Sequence, residues 1–417
     1  MGPKDNAVMG TQAGKSQMGS RLSHRAQQVE GSKTLDLTMK ARDMRKQGID
    51  ICIFGSGEPD FNTPQHICDS AYEAMKLGVT KYTPAAGLME LRQAISEKLS
   101  QENGLDYKPN QIIVSSGAKH SLSNIFFALL NPGDEVVIPV PAWLSYWEQV
   151  KLAGGVPVLF KTKKENDFKI TSDELESAIT GKTKIVLLNS PVNPTGAVYT
   201  REELEKLAQV CVDHDLMVIS DEIYEKLVYD GEEHVSIASF GKDIFDRTIV
   251  VNGFSKAYAM TGWRMGYAAA PAEIAKAMDD IQSHLTSNST SFVQIASIDA
   301  LKGSQEPVNE MKEEYNRRRI RMVEMLQDIP GVECPMPKGA FYTFPGIKGL
   351  IGKKAMGETI TDDDVLCKLL LEHAKILVVP GSSFEMEDHI RLSYATDMAT
   401  IEEGLKRFKE FVVNHVS

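Results

Sequence analysis

The sequence predicts an α/β fold: a large domain on a mostly parallel sheet, joined to a smaller α+β domain. Three observations carry that expectation. Short apolar and β-branched runs alternate with helical patterns through the middle of the chain. The C-terminal third changes to strands separated by helical segments. A length of 417 residues suits two domains, or a large one with a companion, better than a single core.

Residues 1–20, rich in Gly, Ser, Gln and Lys without a continuous apolar stretch, are expected to be a disordered tail. The helical run "LTMKARDMRKQG" and the stretch "ICIFGSGEPDF" follow, and residues 21–62 are assigned to the smaller domain. The large domain is expected over 63–311. There "QIIVSSG" (111–117) reads as a strand, after which Leu122, Ile125, Phe126 and Leu129 recur at helical spacing. Further strands are expected at "DEVVIPVP" (134–141), "GVPVLF" (155–160) and "TKIVLLNSP" (183–191). "REELEKLAQVCVDH" reads as an amphipathic helix; "LMVISDE" (216–222), "TIVVNGFS" and "RMGYAAAP" complete the strands. Such apolar runs between helices mark parallel strands covered on both faces. Residues 312–417 return to the smaller domain, with strands at "GAFYTFPG" (339–346), "ILVVPGSSF" (376–384) and "HIRLSYA" (389–395) and a closing helix "MATIEEGLKRFKEFVVNH".

Composition removes several function classes. With 42% hydrophobic and 25% charged residues the chain is an ordinary soluble globular protein. A formal net charge of −11 and the lack of any basic block disfavour nucleic acid and acidic membranes as partners. Cys52, Cys68, Cys211, Cys334 and Cys367 are odd in number, far apart and form no CxxC, so neither a disulfide framework nor a thiolate zinc site is expected. Nine histidines include no HExxH, and no metal site is expected. No run approaches the roughly 18 apolar residues of a spanning helix, and no secretory signal is legible. The expected location is cytoplasmic, with a weak organellar address left open.

Chemistry is sought beyond the carboxyl ends of the strands, where open parallel sheets bind ligands. Gly117-Ala118-Lys119 follows a strand and opens a helix, which makes either a plain turn or a phosphate site at a helix N-terminus. Asp221 ends a strand, as a helix cap or as the partner of a cation. Asn193 lies in the Pro-Gly-rich loop "SPVNPTGAVY", and Trp143 follows another strand end as core or as a flat platform. "VVNGFSKAYAMTGWRMGYAAAP" places Lys256 and Arg264 in a stretch that otherwise reads as interior, which charged side chains rarely enter unpaired. A dinucleotide site is rejected, because "FGSGEPDF" has Asp60 where the third glycine should fall. Taken together, a phosphate turn, a strand-end aspartate, an aromatic platform, a lysine and an arginine answer the needs of pyridoxal phosphate.

"GFSKAYAMTGWRMG" resembles the lysine-attachment pattern of the class I (fold type I) pyridoxal phosphate-dependent aminotransferases. The resemblance runs from about Leu22 to the C-terminus. It is closest to the aspartate/prephenate branch, through "GEPDFNTP", "KYTPAAGLMELR", "NPTGAVY", "SDEIYEKLVYDG" and "HIRLSYAT". It implies a seven-stranded-type sheet in the large domain and a smaller domain built from both chain ends. It also implies a pyridoxal 5'-phosphate cofactor on Lys256 as a Schiff base, with Lys256 moving the substrate proton. By the same resemblance Asp221 pairs with the pyridinium nitrogen, and Tyr224 and Asn193 hydrogen-bond the ring oxygen. Trp143 stacks on the ring, and Ala118, Lys119, Ser255 and Arg264 hold the phosphate. At Gly253 the chain departs from members with a hydroxyl residue there. Tyr82 would reach the neighbouring subunit's site in a homodimer, and Arg391, with the Gly57 backbone, would take the substrate carboxylate.

The implied substrates are an amino acid and a 2-oxo acid, with L-aspartate and 2-oxoglutarate giving oxaloacetate and L-glutamate by a ping-pong route. For the distal carboxylate the candidates are Ser32, Lys33 and Thr34, while Glu30 stands where prephenate-accepting members often carry a basic residue. Aromatic, prephenate or alanine transamination, or a C–S β-lyase reaction, would use the same scaffold. A catalytically silent relative would be expected to lose Lys256, Asp221 or Arg391, and all three are present.

Overall fold

The computed structural model describes residues 43–417 without a break, with isolated positions between 21 and 41. The expected tail at 1–20 and the candidates Glu30, Ser32, Lys33 and Thr34 lie outside the described residues.

Seven of the expected runs become the strands of one sheet: β1 (Ile112–Ser115), β2 (Glu135–Val140), β3 (Val156–Lys161), β4 (Thr183–Asn189), β5 (Met217–Asp221), β6 (Thr248–Gly253) and β7 (Gly266–Ala269). Their spatial order is β1-β7-β6-β5-β4-β2-β3. All neighbours are parallel except at β7, which runs antiparallel to both β6 and β1. The central strands are mostly apolar, since helices cover both faces, and every residue of β6 is buried, Thr248 and Asn252 included. β3 is only partly covered, with both its ends exposed, as suits a sheet edge.

The helices between strands start where the sequence supplies a cap. At Arg201–Asp213 the Thr200 hydroxyl accepts from the Glu203 amide, and the Glu203 carboxylate accepts from the Thr200 amide. Such a reciprocal pair satisfies two otherwise orphaned donors and contributes about 1 kcal/mol. Because β1, β2, β4, β5 and β6 point the same way, their carboxyl ends open at one edge, and each ends beside a candidate residue.

The two chain ends build a second core, in which Phe54, Tyr315, Phe341, Tyr394 and Phe408 are buried together with Tyr224, Leu227 and Tyr229 from the turn region after β5. A three-stranded antiparallel sheet runs Val379–Pro380, Ile390–Ser393, Tyr342–Thr343, and Cys52–Ile53 pairs in parallel with Ile376–Leu377. The strands here are shorter than the sequence suggested. "GAFYTFPG" contributes only Tyr342–Thr343 between its glycines and Pro345, and "ILVVPGSSF" breaks into two short strands and a 3-10 turn at Gly381–Phe384. A Cβ at Gly381 would lie 2.2 Å from the Met386 carbonyl oxygen, so the chain turns there rather than extending.

The edge that holds the candidates depends on close backbone packing. A Cβ on Gly266 would sit 2.3 Å from the Ala118 amide nitrogen, and backbone atoms cannot give way cheaply. Gly266→Ala is therefore expected to lower unfolding stability by about 1–3 kcal/mol, read from urea midpoints, and to weaken ligand binding at Ala118.

Candidate active site

Eleven of the twelve site residues expected from sequence line a single cleft of about 440 Å³: Gly57, Ala118, Lys119, Trp143, Asn193, Asp221, Tyr224, Ser255, Lys256, Arg264 and Arg391. The twelfth, Tyr82, is 90% exposed and away from it.

Asp221, last residue of β5, is buried, with its Oδ2 accepting from the Tyr146 hydroxyl at 2.6 Å and its Oδ1 from the Ile223 amide at 3.2 Å. Its backbone carbonyl takes bonds from Asn189 Nδ2 (2.9 Å) and the Ser190 amide (3.1 Å), which fix the strand end. Burial drives the carboxyl up to about 6, against the pull of the two donors, and adjacent Glu222 adds to the rise.

Lys256 follows β6 and is half-buried, its Nζ donating to the Gly57 carbonyl oxygen and lying 5.8 Å from the Tyr224 ring centre and 5.6 Å from that of Phe341. Burial pushes the ammonium down to about 8; Glu58 opposes this, while Arg391 and Arg264 add to it. Neutral amine is thus present near physiological pH, as a proton-transfer group requires.

Arg264 departs from expectation. The apolar residues around it suggested an interior cation, but it is exposed at the cleft rim. It stands in a left-handed turn (φ 54°) after the 3-10 segment Thr261–Trp263, which turns it out of the apolar run. Its Nη1 donates to the Thr261 carbonyl at 2.8 Å, and its guanidinium crosses Gly117 so closely that a Cβ there would be 2.5 Å from Nη2. Gly117 (φ 85°) opens the helix Ala118–Leu129, so a guanidinium and a helix N-terminus share one small concavity. Ser255 is buried beside it. At Gly253 a side chain would be 2.9 Å from Gly266 Cα, which explains why this chain has no hydroxyl residue there.

Arg391, in Ile390–Ser393, is buried and donates through Nη1 to Asn193 Oδ1 and through Nη2 to the Gly55 carbonyl, both at 3.0 Å. Its Nε is buried without a partner, and its Cζ lies 4.4 Å from the Tyr342 ring centre and 5.0 Å from that of Phe384. Tyr224 and Tyr342 share a hydroxyl contact of 3.0 Å. Trp143 is half-buried, meets Tyr146 edge-on (5.4 Å, 86°) and carries the Lys119 ammonium 4.7 Å from its ring centre.

The sequence profile of the family described as "Aminotransferase class I and II" matches residues 49–408. The chain belongs to this family. Among its relatives in the class I and II aminotransferases, the aspartate aminotransferase of Bacillus subtilis (strain 168) is 48% identical over 95% of this chain and all of its own length. A protein named probable aspartate/prephenate aminotransferase from Aquifex aeolicus is 46% identical, over 94% of this chain and 98% of its own. The crystal structure of the aspartate aminotransferase from Rhizobium meliloti superposes with a TM-score of 0.92 at 43% identity, covering 96% of this chain and all of that one.

Sequence reasoning missed Tyr146, Tyr342 and Phe384, which line the aminotransferase cleft. Tyr146 stands three residues beyond Trp143, so helical spacing could have placed both on one face. Tyr342 and Phe384 sit in short strands and a turn where no periodicity marks the inward face. The described residues include no helix long and apolar enough to cross a membrane.

Asp221 makes a pH-dependent prediction. An acid raised from 3.8 to about 6 binds more protons folded than unfolded in that interval, so its contribution to stability falls as pH rises through it and stays low above. Ligand-free Asp221→Asn is expected to exceed the parent in urea stability by up to ~3 kcal/mol at pH 8, with the advantage vanishing below pH ~4.

Proposed function

We propose that this aminotransferase binds pyridoxal 5'-phosphate and transfers the amino group of L-aspartate to 2-oxoglutarate, giving oxaloacetate and L-glutamate. The observation that carries the reading is the pairing, in one cleft, of a lysine amine lowered to about 8 with a buried arginine whose Nε has no partner.

The residues fit the cofactor. The concavity at Gly117, with Arg264 across it and the Ala118 amide at a helix start, suits a phosphate dianion. Ser255 would add a hydroxyl donor, and Lys119 its backbone amide. The Asp221 carboxylate, burdened by burial, suits a protonated ring nitrogen, and Trp143 suits the ring face. Tyr224 and Asn193 would donate to the ring oxygen. When bound, pyridoxal phosphate supplies an electrophilic carbonyl and a ring that takes up the electron pair left on the substrate's α-carbon.

The protein's own residues do the rest. Lys256 would hold the cofactor through its Nζ, and the same amine, once free, would take the proton from the α-carbon. Arg391, its guanidinium packed beside the Tyr342 and Phe384 rings, would grip the α-carboxylate, and the Gly57 backbone would close that side. The side chain of Lys119, near Trp143 and held below the usual lysine range by partial burial and then by Arg264, offers a cation for the distal carboxylate of an acidic substrate. The aspartate aminotransferases among the relatives, one solved from Thermus thermophilus with maleate, support the acidic class.

Two further readings accompany this one. A core lying wholly within 86–278, and a second one drawn mostly from Cys52, Phe54 and residues 315–412, support a division into a smaller domain at 21–62 with 312–417 and a large domain at 63–311, with Tyr224, Leu227, Tyr229 and Met311 joining the second core from the large domain. A homodimer with shared sites is supported by exposed Tyr72, Leu77, Tyr82 and Met89, with Tyr82 reaching the partner's phosphate pocket.

Protein loaded with the cofactor is expected to form oxaloacetate faster from L-aspartate than it consumes alanine, phenylalanine or prephenate-derived donors. Preference for another donor in these assays rejects the aspartate assignment. Lys256→Ala should lower turnover by about 10⁴-fold, and borohydride should fix the cofactor's mass on the Lys256 peptide of the parent. Arg391→Lys should lower kcat/KM by about 100-fold, because lysine cannot make a two-pronged bond to carboxylate. Sedimentation should give a dimer, and Tyr82→Ala should weaken cofactor binding without altering the melting of the ligand-free chain.

A further inference from the structure

Directly behind the strand end that bears Asp221 lies a buried charge network that the proposed reaction does not use. Asp221 and Tyr224 face the cleft, whereas Glu222 and Glu225 do not. Glu225 Oε1 accepts from Lys98 Nζ and, at 2.8 Å, from Asn252 Nδ2, and its Oε2 accepts from Asn103 Nδ2 at 2.9 Å. Glu222 Oε1 accepts from the hydroxyls of Ser220 (2.8 Å) and Ser236 (2.6 Å), and its Oε2 meets His234 Nε2 at 3.1 Å. The side chains of Lys98, Glu225, His234 and Glu222 are each less than a tenth exposed.

Glu222, Glu225 and His234 offer one ligand atom each within 4.8 Å of one another, a spacing that would suit a metal. The Lys98 ammonium on Glu225 already supplies the positive charge there. Lys98 thus faces Glu225, and His234 faces Glu222, in two adjoining pairs. Burial alone would raise Glu225, but Lys98 and then His234 outweigh it and hold the carboxyl at about 2. Burial would lower His234, but Glu222 outweighs it, so the imidazole is held above its usual range. Tyr107, Tyr258 and Tyr267 face the network as phenols kept neutral by burial, and Glu102 with Lys226 closes its solvent edge.

Buried ion pairs contribute little to stability relative to well-packed apolar residues, so the geometry of this one is more informative than its energy. Glu225 gathers three elements: the helix Met89–Asn103 through Lys98 and Asn103, the turn after β5, and β6 through Asn252. Two of these carry the site. Asp221 and Tyr224 precede Glu225 on one, and Ser255 and Lys256 follow Asn252 on the other. We propose that Glu225, clamped by Lys98 and Asn252, is a positioning residue that fixes the Asp221–Tyr224 wall of the cleft relative to the Ser255–Lys256 wall.

The proposal rests on the pyridoxal phosphate reading, and the test separates the two. Three quantities are measured: pyridoxal phosphate affinity of the ligand-free protein by fluorescence quenching, its urea melting, and the pH midpoint of the bound cofactor's absorbance. Asn252→Ala removes the bond between Glu225 and β6, along with the local bond from the Gly253 amide to Asn252 Oδ1, without touching a charge. It is expected to melt near the parent, bind pyridoxal phosphate about tenfold more weakly and shift the pH midpoint. The double variant Lys98→Met with Glu225→Leu is expected to regain the stability that Lys98→Met alone loses, but not the affinity. Parent-like affinity and midpoint in Asn252→Ala overturn the proposal, even if the double variant fails to fold. So does a loss of affinity that only follows a loss of stability. A parent that does not bind pyridoxal phosphate overturns the cofactor reading and the positioning role with it.

Discussion

Parallel pairing of β2, β4, β5 and β6 sends four strand ends to the same edge of the sheet, and the site exists because of that constraint. Each strand that stops there leaves a loop whose first residues need not continue a ladder and are free to carry chemistry. Asn189 orders Asn193 by accepting its amide at 2.9 Å, and it also donates to the carbonyl of Asp221, so two neighbouring strand ends hold each other. β7 returns antiparallel beside β6, which brings Arg264 to the same edge from the opposite direction. Without that reversal the guanidinium would emerge at the far end of the sheet.

Electrostatically the cleft is assembled for guests it does not itself supply. Lys256, Arg264, Arg391 and Lys119 all line it, and burial lowers the lysine and disfavours the charged arginine at Arg391. Asp221 is strained in the opposite sense. Groups that burial disfavours in their charged forms are concentrated here, where an anion and a protonated ring would relieve them. The cost appears as lowered stability of the ligand-free chain and returns as binding energy.

Much of this was legible in the residues. Six of the seven strands of the large sheet were marked by runs rich in Val, Ile and Leu, because strands covered on both faces are mostly apolar; Gly266–Ala269 was marked by small and aromatic residues instead. "GFSKAYAMTGWRMG" singled out Lys256 and Arg264 because charge inside an apolar run demands a reason. The same logic erred over Arg264, since neighbours in sequence do not reveal that a left-handed turn rotates one residue outward. Tyr146, Tyr342 and Phe384 escaped because nothing local distinguishes an aromatic residue that lines a cleft from one that fills a core. Glu225 escaped for a related reason: its partners lie 127 and 27 residues away, at Lys98 and Asn252, and only folding brings them together.

Arg391 belongs to the small antiparallel sheet, yet it donates to Asn193 in the loop beyond β4 of the large one. That bond ties the guanidinium to both sheets, beside backbone bonds such as the Ala142 amide on the Phe384 carbonyl and the Gly339 amide on the Gly196 carbonyl. A displacement of one sheet against the other must either break it or swing the guanidinium out of its aromatic clamp. The shape of the cleft around Arg391 and the packing of the two sheets are therefore one mechanical coordinate. A ligand that engages Arg391 acts on both at once.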